Sequence, residues 1–212
     1  MKIIMSKPDF SFEYELATKG ALNIAGVDEA GRGPLAGSVL AAAVMFDFKK
    51  IENSDLLVGI NDSKKLSEKK REMLFEIIIA NSYVSIASAT PAIIERLNIR
   101  GASLYAMRQA VLGLAKKPQH VLIDGNAIPN DMPMPASAII KGDAKSLSIA
   151  AASIVAKVLR DKMCPIMDMD YQGYEFAKHK AYGTKIHLEA LNRLGVSEHH
   201  RVSFAPVKKL LA

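Results

Sequence analysis

The sequence predicts one α/β domain, in which helices flank a mixed five-stranded sheet and a helical extension follows at the C-terminal end. Three strand-like segments come first. Helices, a strand, a proline-rich loop, a further strand and a long helix follow them. The chain has 212 residues, of which 50% are hydrophobic and 24% are charged, as in a globular domain with one substantial core. We expect the core over residues 20–163 and the extension over residues 164–212.

Five strands are predicted from short apolar or alternating runs that glycine, proline and polar residues separate. A glycine-rich turn joins the first two strands. A polar loop over residues 49–61 and a loop with three prolines over residues 126–135 separate later elements. The predicted strands cover residues 22–28, 37–46, 83–89, 120–123 and 136–140.

Helices are predicted where apolar residues recur at intervals of three and four. Ser67 is a suitable N-cap for one helix, Pro91 can open the next, and Gly195 follows the last. Pro165 and Gly173 are expected to interrupt the helical pattern after the long helix. The predicted helices cover residues 10–17, 68–80, 91–97, a segment from 102 to before 118, residues 144–163 and 185–193, with one turn in the basic tail over 196–212.

Nothing in the sequence predicts export or membrane insertion. The first fifteen residues include acids and have no long apolar core, so we do not expect a signal peptide. The longest apolar run, residues 39–46, is too short to span a bilayer. The single cysteine, Cys164, excludes an internal disulfide and is typical of a reducing compartment. We therefore expect a cytoplasmic protein that does not associate with membranes, and we expect it to be a monomer.

The charge distribution favours a polyanionic partner. The net charge is +6, and residues 141–212 hold 12 basic but only 7 acidic residues, whereas residues 1–140 are nearly balanced. A basic region next to acidic residues is typical of a protein that holds nucleic acid with one part and cuts it with another. A basic solvated surface without a partner is the alternative.

The most informative stretch is residues 24–37. Its apolar strand ends in two adjacent carboxylates, Asp28 and Glu29. Because desolvating charge is costly, two acids at the end of a buried strand indicate a bound cation. The alternative is a solvated pair of acids beside an ordinary tight turn.

A glycine-rich turn follows these acids. Gly31 and Gly33 allow the backbone to bend sharply and to approach a ligand closely. Arg32, between them, offers a planar donor group that suits phosphate. Acids for a metal beside a turn for phosphate indicate metal-assisted chemistry on a phosphodiester.

Two further acids follow predicted strands. Asp124 comes directly after the fourth strand, and Asp143 follows the fifth strand after a short turn. Sites in open α/β sheets lie outside strand ends, so these acids can meet the first pair there. Hard oxygen ligands favour Mg²⁺ or Mn²⁺ over Zn²⁺, and two such ions can activate water and stabilise a leaving oxygen. Alternatively, Asp143 is the N-cap of the helix that begins at residue 144.

The long helix has two faces at helical spacing, and the apolar face belongs to the core. The other face carries small hydroxyls and positive charge, which suit a phosphate backbone lying alongside. An exposed face without a partner is the alternative. This second face consists of Ser146, Ala150, Ser153, Lys157 and Arg160.

A basic cluster over residues 178–185 surrounds Tyr182. Its ring can stack on a base or sugar while Lys180 and the neighbouring lysines hold phosphates. The alternative is that Tyr182 packs against the domain. His199 and His200 are adjacent in the tail, where we expect solvated side chains rather than metal ligands.

Taken in order, these motifs resemble those of the type 2 ribonucleases H, specifically the bacterial ribonuclease HII family. The resemblance covers roughly residues 20–206. It rests on residues 26–37, 62–66, 123–125, 141–143 with Ser146, the helix at 150–157, and residues 179–184 and 201–204.

The resemblance implies the ribonuclease H fold and endonucleolytic cleavage of RNA paired to DNA, with divalent Mn²⁺ or Mg²⁺ as cofactor. It also implies incision at single ribonucleotides in duplex DNA, which leaves 5′-phosphate and 3′-hydroxyl ends. It implies that the metals are bound by Asp28, Glu29, Asp124 and Asp143. It implies that the ribose 2′-hydroxyl is sensed by Gly31, Arg32 and Gly33, and that Tyr182 stacks at the RNA–DNA junction. We also expect Lys64, Ser146 and Lys180 to contact nucleic acid.

One residue departs from the family pattern. The family has glycine before the tyrosine, whereas this chain has Ala181, which is strained if that position needs a positive φ. The aspartate at position 143 and the short leader favour ribonuclease HII over ribonuclease HIII. Two alternative functions are considered. One is that of an exonuclease with four acids and two metals, and the other is that of a nucleic-acid-binding domain without catalytic activity.

Overall fold

A computed structural model describes residues 7–47 and 57–211. The first six residues of the predicted leader and residues 49–56 of the predicted polar loop lie outside the described residues. Within the described ranges, all five predicted strands and the predicted helices are present, with differences at their ends that bear on the site.

The strands form one mixed sheet, which confirms the predicted fold class. They are β1 (Ile24–Ala30), β2 (Val39–Phe46), β3 (Ser82–Ala89), β4 (His120–Asp124) and β5 (Ala136–Ile139). Their order is β3-β2-β1-β4-β5. The β1–β2 and β2–β3 pairs are antiparallel, whereas the β1–β4 and β4–β5 pairs are parallel. β1 is therefore the central strand.

Within the described ranges, the helices are α1 (Ser11–Thr18), α2 (Glu68–Asn81), α3 (Pro91–Leu112), α4 (Leu147–Asp170), α5 (Phe176–His179), α6 (Lys185–Leu194) and α7 (Ala205–Lys208). Short 3-10 turns at Ser63–Lys65 and Gly142–Ala144 precede α2 and α4. In the part of the chain that the structure describes, no helix is long and apolar enough to cross a membrane.

Helices cover both faces of the sheet. Successive side chains of a strand point to opposite faces, so the strands contribute to two separate apolar clusters. One cluster packs the sheet against α2 and α4 through residues such as Leu74 and Ile154. The other packs it against α3 through Ile94 and Met107. The sheet is therefore the middle of three layers.

The first turn of α4 lies directly against β1 at Gly26. A Cβ atom on Gly26 would lie 2.2 Å from the backbone of Ser148, so glycine is needed at this position. This close approach also allows Ser153 of α4 to hydrogen-bond to Asp28, two residues further along β1. Packing of the helix thus positions one of the predicted site acids.

α3 contains a break at Asn98, where φ is 56° and ψ is 171°. The sequence predicts two helices here, beginning at Pro91 and near Ala102, and the break confirms this division. The Asn98 side chain accepts hydrogen bonds from the backbone N–H groups of Arg100 and Gly101, so it caps the second helical segment.

α4 continues through Pro165 to residue 170, so the predicted end of this helix near residue 163 is wrong. A proline in a helix interior costs about 3 kcal/mol. Here Pro165 is exposed, while Cys164 and Met167 are buried against the C-terminal segments, and their burial offsets this cost. The predicted boundary between core and extension falls inside this helix, and the single-domain organisation stays a prediction.

The C-terminal segments pack onto the loop between β1 and β2. Backbone hydrogen bonds join Leu35 N to Ala181 O at 2.8 Å, Gly37 N to His199 O at 2.8 Å and Arg201 N to Leu35 O at 2.9 Å. An apolar cluster that includes Leu35 and side chains from α4 to α7 lies beneath these contacts. The segment predicted as a basic tail is thus packed around the glycine turn.

Ser146, and not Asp143, caps α4. The Ser146 hydroxyl accepts a hydrogen bond from Ile149 N at 3.3 Å, whereas Asp143 lies in the preceding 3-10 turn, so the N-cap alternative for Asp143 is wrong. Ser146 also donates to Oε1 of Glu13 at 2.7 Å, and Glu13 is only 1% exposed. A buried carboxylate from α1 therefore stabilises the N-terminus of α4, where the helix dipole favours negative charge.

We expect Ser146→Ala to lower the free energy of unfolding by about 2 kcal/mol, because it removes both a helix cap and a donor to a buried carboxylate. Ser67→Ala removes only the cap of α2 and is the matched control, with an expected loss of about 1 kcal/mol. Urea denaturation followed by circular dichroism measures both losses. Equal losses would mean that the contact with Glu13 contributes nothing.

Candidate active site

The paired acids lie within β1 rather than after its end. β1 continues to Ala30, so the prediction that it ends at residue 28 is wrong. Ala30 packs in the cluster under α4 and Val27 packs in the cluster under α3. Because side chains alternate along a strand, Asp28 faces α4 and Glu29 faces the side of α3.

Asp28 is held by hydroxyl and backbone donors in a buried position. It is 5% exposed, and it accepts hydrogen bonds from Glu29 N at 2.7 Å and from Ser153. The hydroxyls of Ser153 and Ser63 are 2.8 Å apart, which connects the 3-10 turn before α2 to this acid. Burial, followed by the negative charges of Glu29 and Asp124, raises the pKa of Asp28 well above its usual range.

Asp124 ends β4, beside β1, and the turn after β5 is fixed against it. Oδ1 of Asp124 accepts a hydrogen bond from Gly142 N at 2.7 Å, and Asp143 follows in the same turn. Burial raises the pKa of both carboxyls. The charge of Glu29 adds to this effect at Asp124, and the charges of Asp124 and Asp62 add to it at Asp143. Each of these carboxyls therefore lies close enough to another acid for that acid's negative charge to raise its pKa.

Lys64 faces this group of acids. Partial burial opposes its charge, but the carboxylates of Asp28, Asp143, Asp62 and Asp124 together raise the pKa of Lys64. Asp62 also caps the 3-10 turn by accepting a hydrogen bond from Lys64 N at 2.9 Å. The polar motif before α2 therefore brings a lysine to the acids.

We call Asp28, Glu29, Asp124 and Asp143 the acid cluster, although Glu29 differs from the other members in its contacts. Its Oε1 pairs with Nη1 of Arg32 at 3.1 Å. Within residues 7–47 and 57–211, no three acidic, histidine or cysteine side chains lie close enough together to enclose a metal ion. A cation that bound all four acids would have to draw Glu29 away from Arg32.

A buried arginine from the C-terminal segment holds the glycine turn. Arg201 is fully buried and donates to the carbonyls of Gly31 at 2.6 Å, Arg32 at 2.9 Å and Gly37 at 2.9 Å. In a trans peptide the C=O and N–H groups point in opposite directions, so the N–H groups of Arg32 and Gly33 point away from Arg201. Burial and the nearby charge of Arg160 lower the pKa of Arg201 to about 9, which leaves it charged at neutral pH.

A second buried arginine, Arg160 of α4, supports the same turn. It donates to the carbonyls of Ser38 at 3.1 Å and Ala36 at 2.9 Å. Gly31 has a φ of +92°, and a Cβ atom there would lie 2.9 Å from Nε of Arg160, so glycine is needed at this position. Arg160 is 2% exposed, and its predicted place on a face along a phosphate backbone is therefore wrong.

Tyr182 lies beside the glycine turn and is 44% exposed. A Cβ atom on Gly33 would lie 3.2 Å from the Tyr182 ring, so part of the ring packs over that glycine. The two preceding residues, Lys180 and Ala181, have φ values of 52° and 63°. Position 181 therefore adopts the left-handed conformation that the family's glycine favours, and alanine is strained there.

Other predicted contacts have surroundings that differ from those expected. Ser146 is fully buried beside Glu13, which contradicts its predicted contact with nucleic acid. The rest of that face of α4 is also buried, apart from the half-buried Lys157. Lys180 is half-buried, with its Nζ 4.0 Å from Oε1 of Glu68. His200, expected in solvent, is 2% exposed.

The acid cluster opens onto the surface rather than into a deep cavity. The pocket beside Glu29 and Asp124 has a volume of only about 80 Å³. A cavity of about 660 Å³ lies elsewhere, between α1 and the opposite ends of the strands, near Ile24 and Phe46. A shallow charged site suits a long polymer that lies across it better than an enclosed small molecule.

The fold and the acid cluster define a nuclease of the ribonuclease H class. The family described as "Ribonuclease HII" matches residues 25–207. Ribonuclease HII of Magnetococcus marinus is 51% identical over 208 residues, which cover 96% of this chain and 95% of the relative. That of Ruegeria pomeroyi is 50% identical over 98% of this chain and 86% of the relative. The chain belongs to the ribonuclease HII family, which consists of hydrolases that cleave RNA in RNA–DNA hybrids.

Solved structures have the same fold. Ribonuclease H2 from Pyrococcus horikoshii OT3 gives a TM-score of 0.71 at 26% identity, covering 89% of this chain and 96% of that chain. Bst-RNase HIII, crystallised in complex with Mn²⁺, gives a TM-score of 0.71 at 21% identity, covering 90% of this chain and 70% of that chain. The predicted family, fold and enzyme class are thus confirmed, while the roles of individual site residues stay predictions.

Proposed function

We propose that this ribonuclease H incises duplex DNA at single embedded ribonucleotides, in addition to cleaving longer RNA–DNA hybrids, and that its acid cluster holds divalent metal ions. The observation that carries this proposal is the position of the glycine turn. It connects the acid-bearing end of β1 to β2, it is held from behind by Arg201, and it is flanked by the ring of Tyr182. The acids proposed as metal ligands are thus adjacent to the turn proposed to read a single nucleotide.

The chemistry of the donor set suits two ions such as Mg²⁺ or Mn²⁺. Four carboxylates provide hard oxygen ligands without histidine or cysteine. Burial and mutual repulsion raise the pKa values of Asp28, Asp124 and Asp143, and a bound cation would relieve that repulsion. When bound, the ions supply an activated water and neutralise charge that develops on the phosphate.

The glycine turn supplies the recognition of ribose. Its carbonyls are engaged by Arg201, so the N–H groups of Arg32 and Gly33 remain directed outward, where a 2′-hydroxyl can accept from them. The turn is already ordered, and binding therefore costs little conformational entropy. If Glu29 held a cation, Arg32 would be free of its ion pair with Glu29 and could contact a phosphate.

The surrounding side chains position the duplex. The exposed part of the Tyr182 ring can stack on the nucleotide beside the ribose. Lys64 and Lys180 contact phosphates. These contacts hold the duplex in register but do not distinguish RNA from DNA. Discrimination between RNA and DNA thus depends on the glycine turn and Tyr182, whereas affinity for the duplex comes mainly from the lysines.

A DNA duplex with one internal ribonucleotide, incubated with Mg²⁺ or Mn²⁺, tests this proposal. We expect one internal nick that leaves a 3′-hydroxyl and a 5′-phosphate. Digestion from the ends would instead support the exonuclease alternative. Binding without cleavage would support a domain without activity, and either result would overturn the proposal.

Tyr182→Ala should lower kcat/KM on the single-ribonucleotide duplex by about tenfold or more, because stacking on one base contributes roughly 1–3 kcal/mol. Cleavage of a long RNA–DNA hybrid should fall less, since such a hybrid offers many ribose hydroxyls and many registers. Tyr182→Phe is the matched control and should retain most activity, because its ring still stacks. Equal losses on the two substrates for Tyr182→Ala would mean that the ring only packs the domain.

A further inference from the structure

Four histidines surround Phe176 in the C-terminal part of the structure, away from the acid cluster. Within this group, His187 is fully buried and His200 is 2% exposed. The ring of His179 stacks on that of His187 with centroids 4.6 Å apart, and His199 packs against Phe176. None of these side chains belongs to the acid cluster, and the sequence predicted solvated side chains for both His199 and His200, of which His199 is half-buried and His200 is buried.

The hydrogen bonds of His187 and His200 have a defined direction. The carbonyl of Tyr182 can only accept, so Nδ1 of His187 donates to it across 3.0 Å. Nε2 of a neutral His187 is then an acceptor, and Nε2 of His200 donates to it across 3.1 Å. Nδ1 of His200 in turn accepts from the backbone N–H of Ser197 at 3.0 Å and from its hydroxyl at 2.8 Å.

Both imidazoles must be neutral for this series of hydrogen bonds to form. Burial, together with the repulsion that a protonated His187 would add, lowers the pKa of His200 to about 4. Burial also lowers the pKa of His187. A proton on Nε2 of His187 would place two N–H donors face to face, so the neutral arrangement is the stable one.

This series of hydrogen bonds ends at the backbone carbonyl of Tyr182. Two consecutive left-handed residues, Lys180 and Ala181, lead into Tyr182, and this conformation is unfavourable for both. The Tyr182 carbonyl accepts from Thr184 N at 2.8 Å as well as from His187. A strained turn keeps one position only when surrounding bonds determine it, and His187 supplies such a bond from its side chain.

We infer that His187 and His200 are positioning residues that set the aim of the Tyr182 ring and thereby the preference for a single embedded ribonucleotide. The inference rests on the proposed stacking role of Tyr182. Both histidines are buried, so we expect neither to contact the substrate. Their effect passes through the hydrogen bond from His187 to the Tyr182 carbonyl and should therefore appear in substrate preference.

Two amide substitutions at His187 separate positioning from packing. An asparagine amide occupies the place of Nδ1 and can still donate to the Tyr182 carbonyl, whereas a glutamine amide occupies the place of Nε2 and cannot. We expect His187→Gln to lower the ratio of kcat/KM for the single-ribonucleotide duplex to kcat/KM for a long hybrid by about tenfold, the upper range for one lost hydrogen bond. His187→Asn should keep this ratio within about twofold of the wild type. Equal changes in the two variants would overturn the inference.

Nuclear magnetic resonance of nitrogen-15-labelled histidine gives a readout that does not depend on activity. In the wild type at neutral pH, His187 should be the Nδ1–H tautomer and His200 the Nε2–H tautomer, both neutral. The opposite tautomer at His187 would overturn the inference, even if both amide variants failed to fold. His120→Gln, at the end of β4 opposite to Asp124, is the control for histidine replacement and should leave the substrate ratio unchanged.

The outcomes also distinguish this inference from the proposed function. If the wild type cleaves long hybrids but does not incise at single ribonucleotides, the proposed function fails, whatever the tautomers. If the wild type does incise and His187→Gln keeps the wild-type ratio, the proposed function stands and the positioning role fails.

Discussion

Asp28→Asn and Asp124→Asn should each abolish cleavage, with kcat/KM lowered by roughly a hundredfold or more, while the affinity for the duplex stays near normal or rises. Both acids are members of the acid cluster, and both have a raised pKa because they are buried beside other negative charges. Asparagine keeps the size of the side chain but supplies no negative charge to a cation. Removing that charge also reduces repulsion of phosphate. Nicking assays and fluorescence anisotropy with the single-ribonucleotide duplex measure the two effects separately.

Metal binding gives an independent measurement of the same prediction. A cation that binds only the folded protein raises its melting temperature, so the wild type should melt higher in Mn²⁺ than in EDTA. Asp124→Asn should show a smaller rise, and in EDTA it should be at least as stable as the wild type because one repelling charge is gone. Asp131→Asn, at an exposed loop position, is the matched control. Full nicking by either acid variant at saturating Mg²⁺ would refute the assignment of the acids.

The sheet and its helices could be predicted because the sequence signals for strands and helices are local. Apolar runs and caps such as Ser67 mark where strands and helices begin, and the break at Asn98 follows from the change of pattern after Pro91. The end of β1 could not be read in this way. Pairing with β2 extends β1 to Ala30, and acids inside a paired strand have no local signal.

The candidate site was predictable where a side chain itself carries the chemistry, and it was not where a side chain acts through the backbone. The sequence indicated the four acids, the glycines and Tyr182 because acids, glycine and aromatics suit particular ligands. Arg201 and His200 resemble members of a solvated basic tail, yet the structure buries both. Arg201 bonds to carbonyl groups and His200 to His187, and only the packed fold brings these partners together.

The largest effect on stability is expected for Arg201→Met, with a loss of about 3 kcal/mol or more in the free energy of unfolding. Arg201 is fully buried and donates to three backbone carbonyls in the loop over residues 31–37. Leaving a buried acceptor without its donor costs about 1–3 kcal/mol, and methionine can replace the volume but not the donors. Urea denaturation measures the loss. Arg193→Met is the matched control, because Arg193 is exposed and donates to one carbonyl at 3.2 Å.

Arg201→Lys tests whether the forked donor also positions the turn for catalysis. Lysine keeps a positive charge but cannot donate in the planar geometry that reaches Gly31, Arg32 and Gly37 together. We expect this variant to fold and to lose activity on the single-ribonucleotide duplex about tenfold, with a smaller loss on a long hybrid, because the turn reads the lone ribose. If Arg201→Lys cleaves both substrates as the wild type does, the glycine turn is positioned by Arg160 and the C-terminal backbone bonds alone.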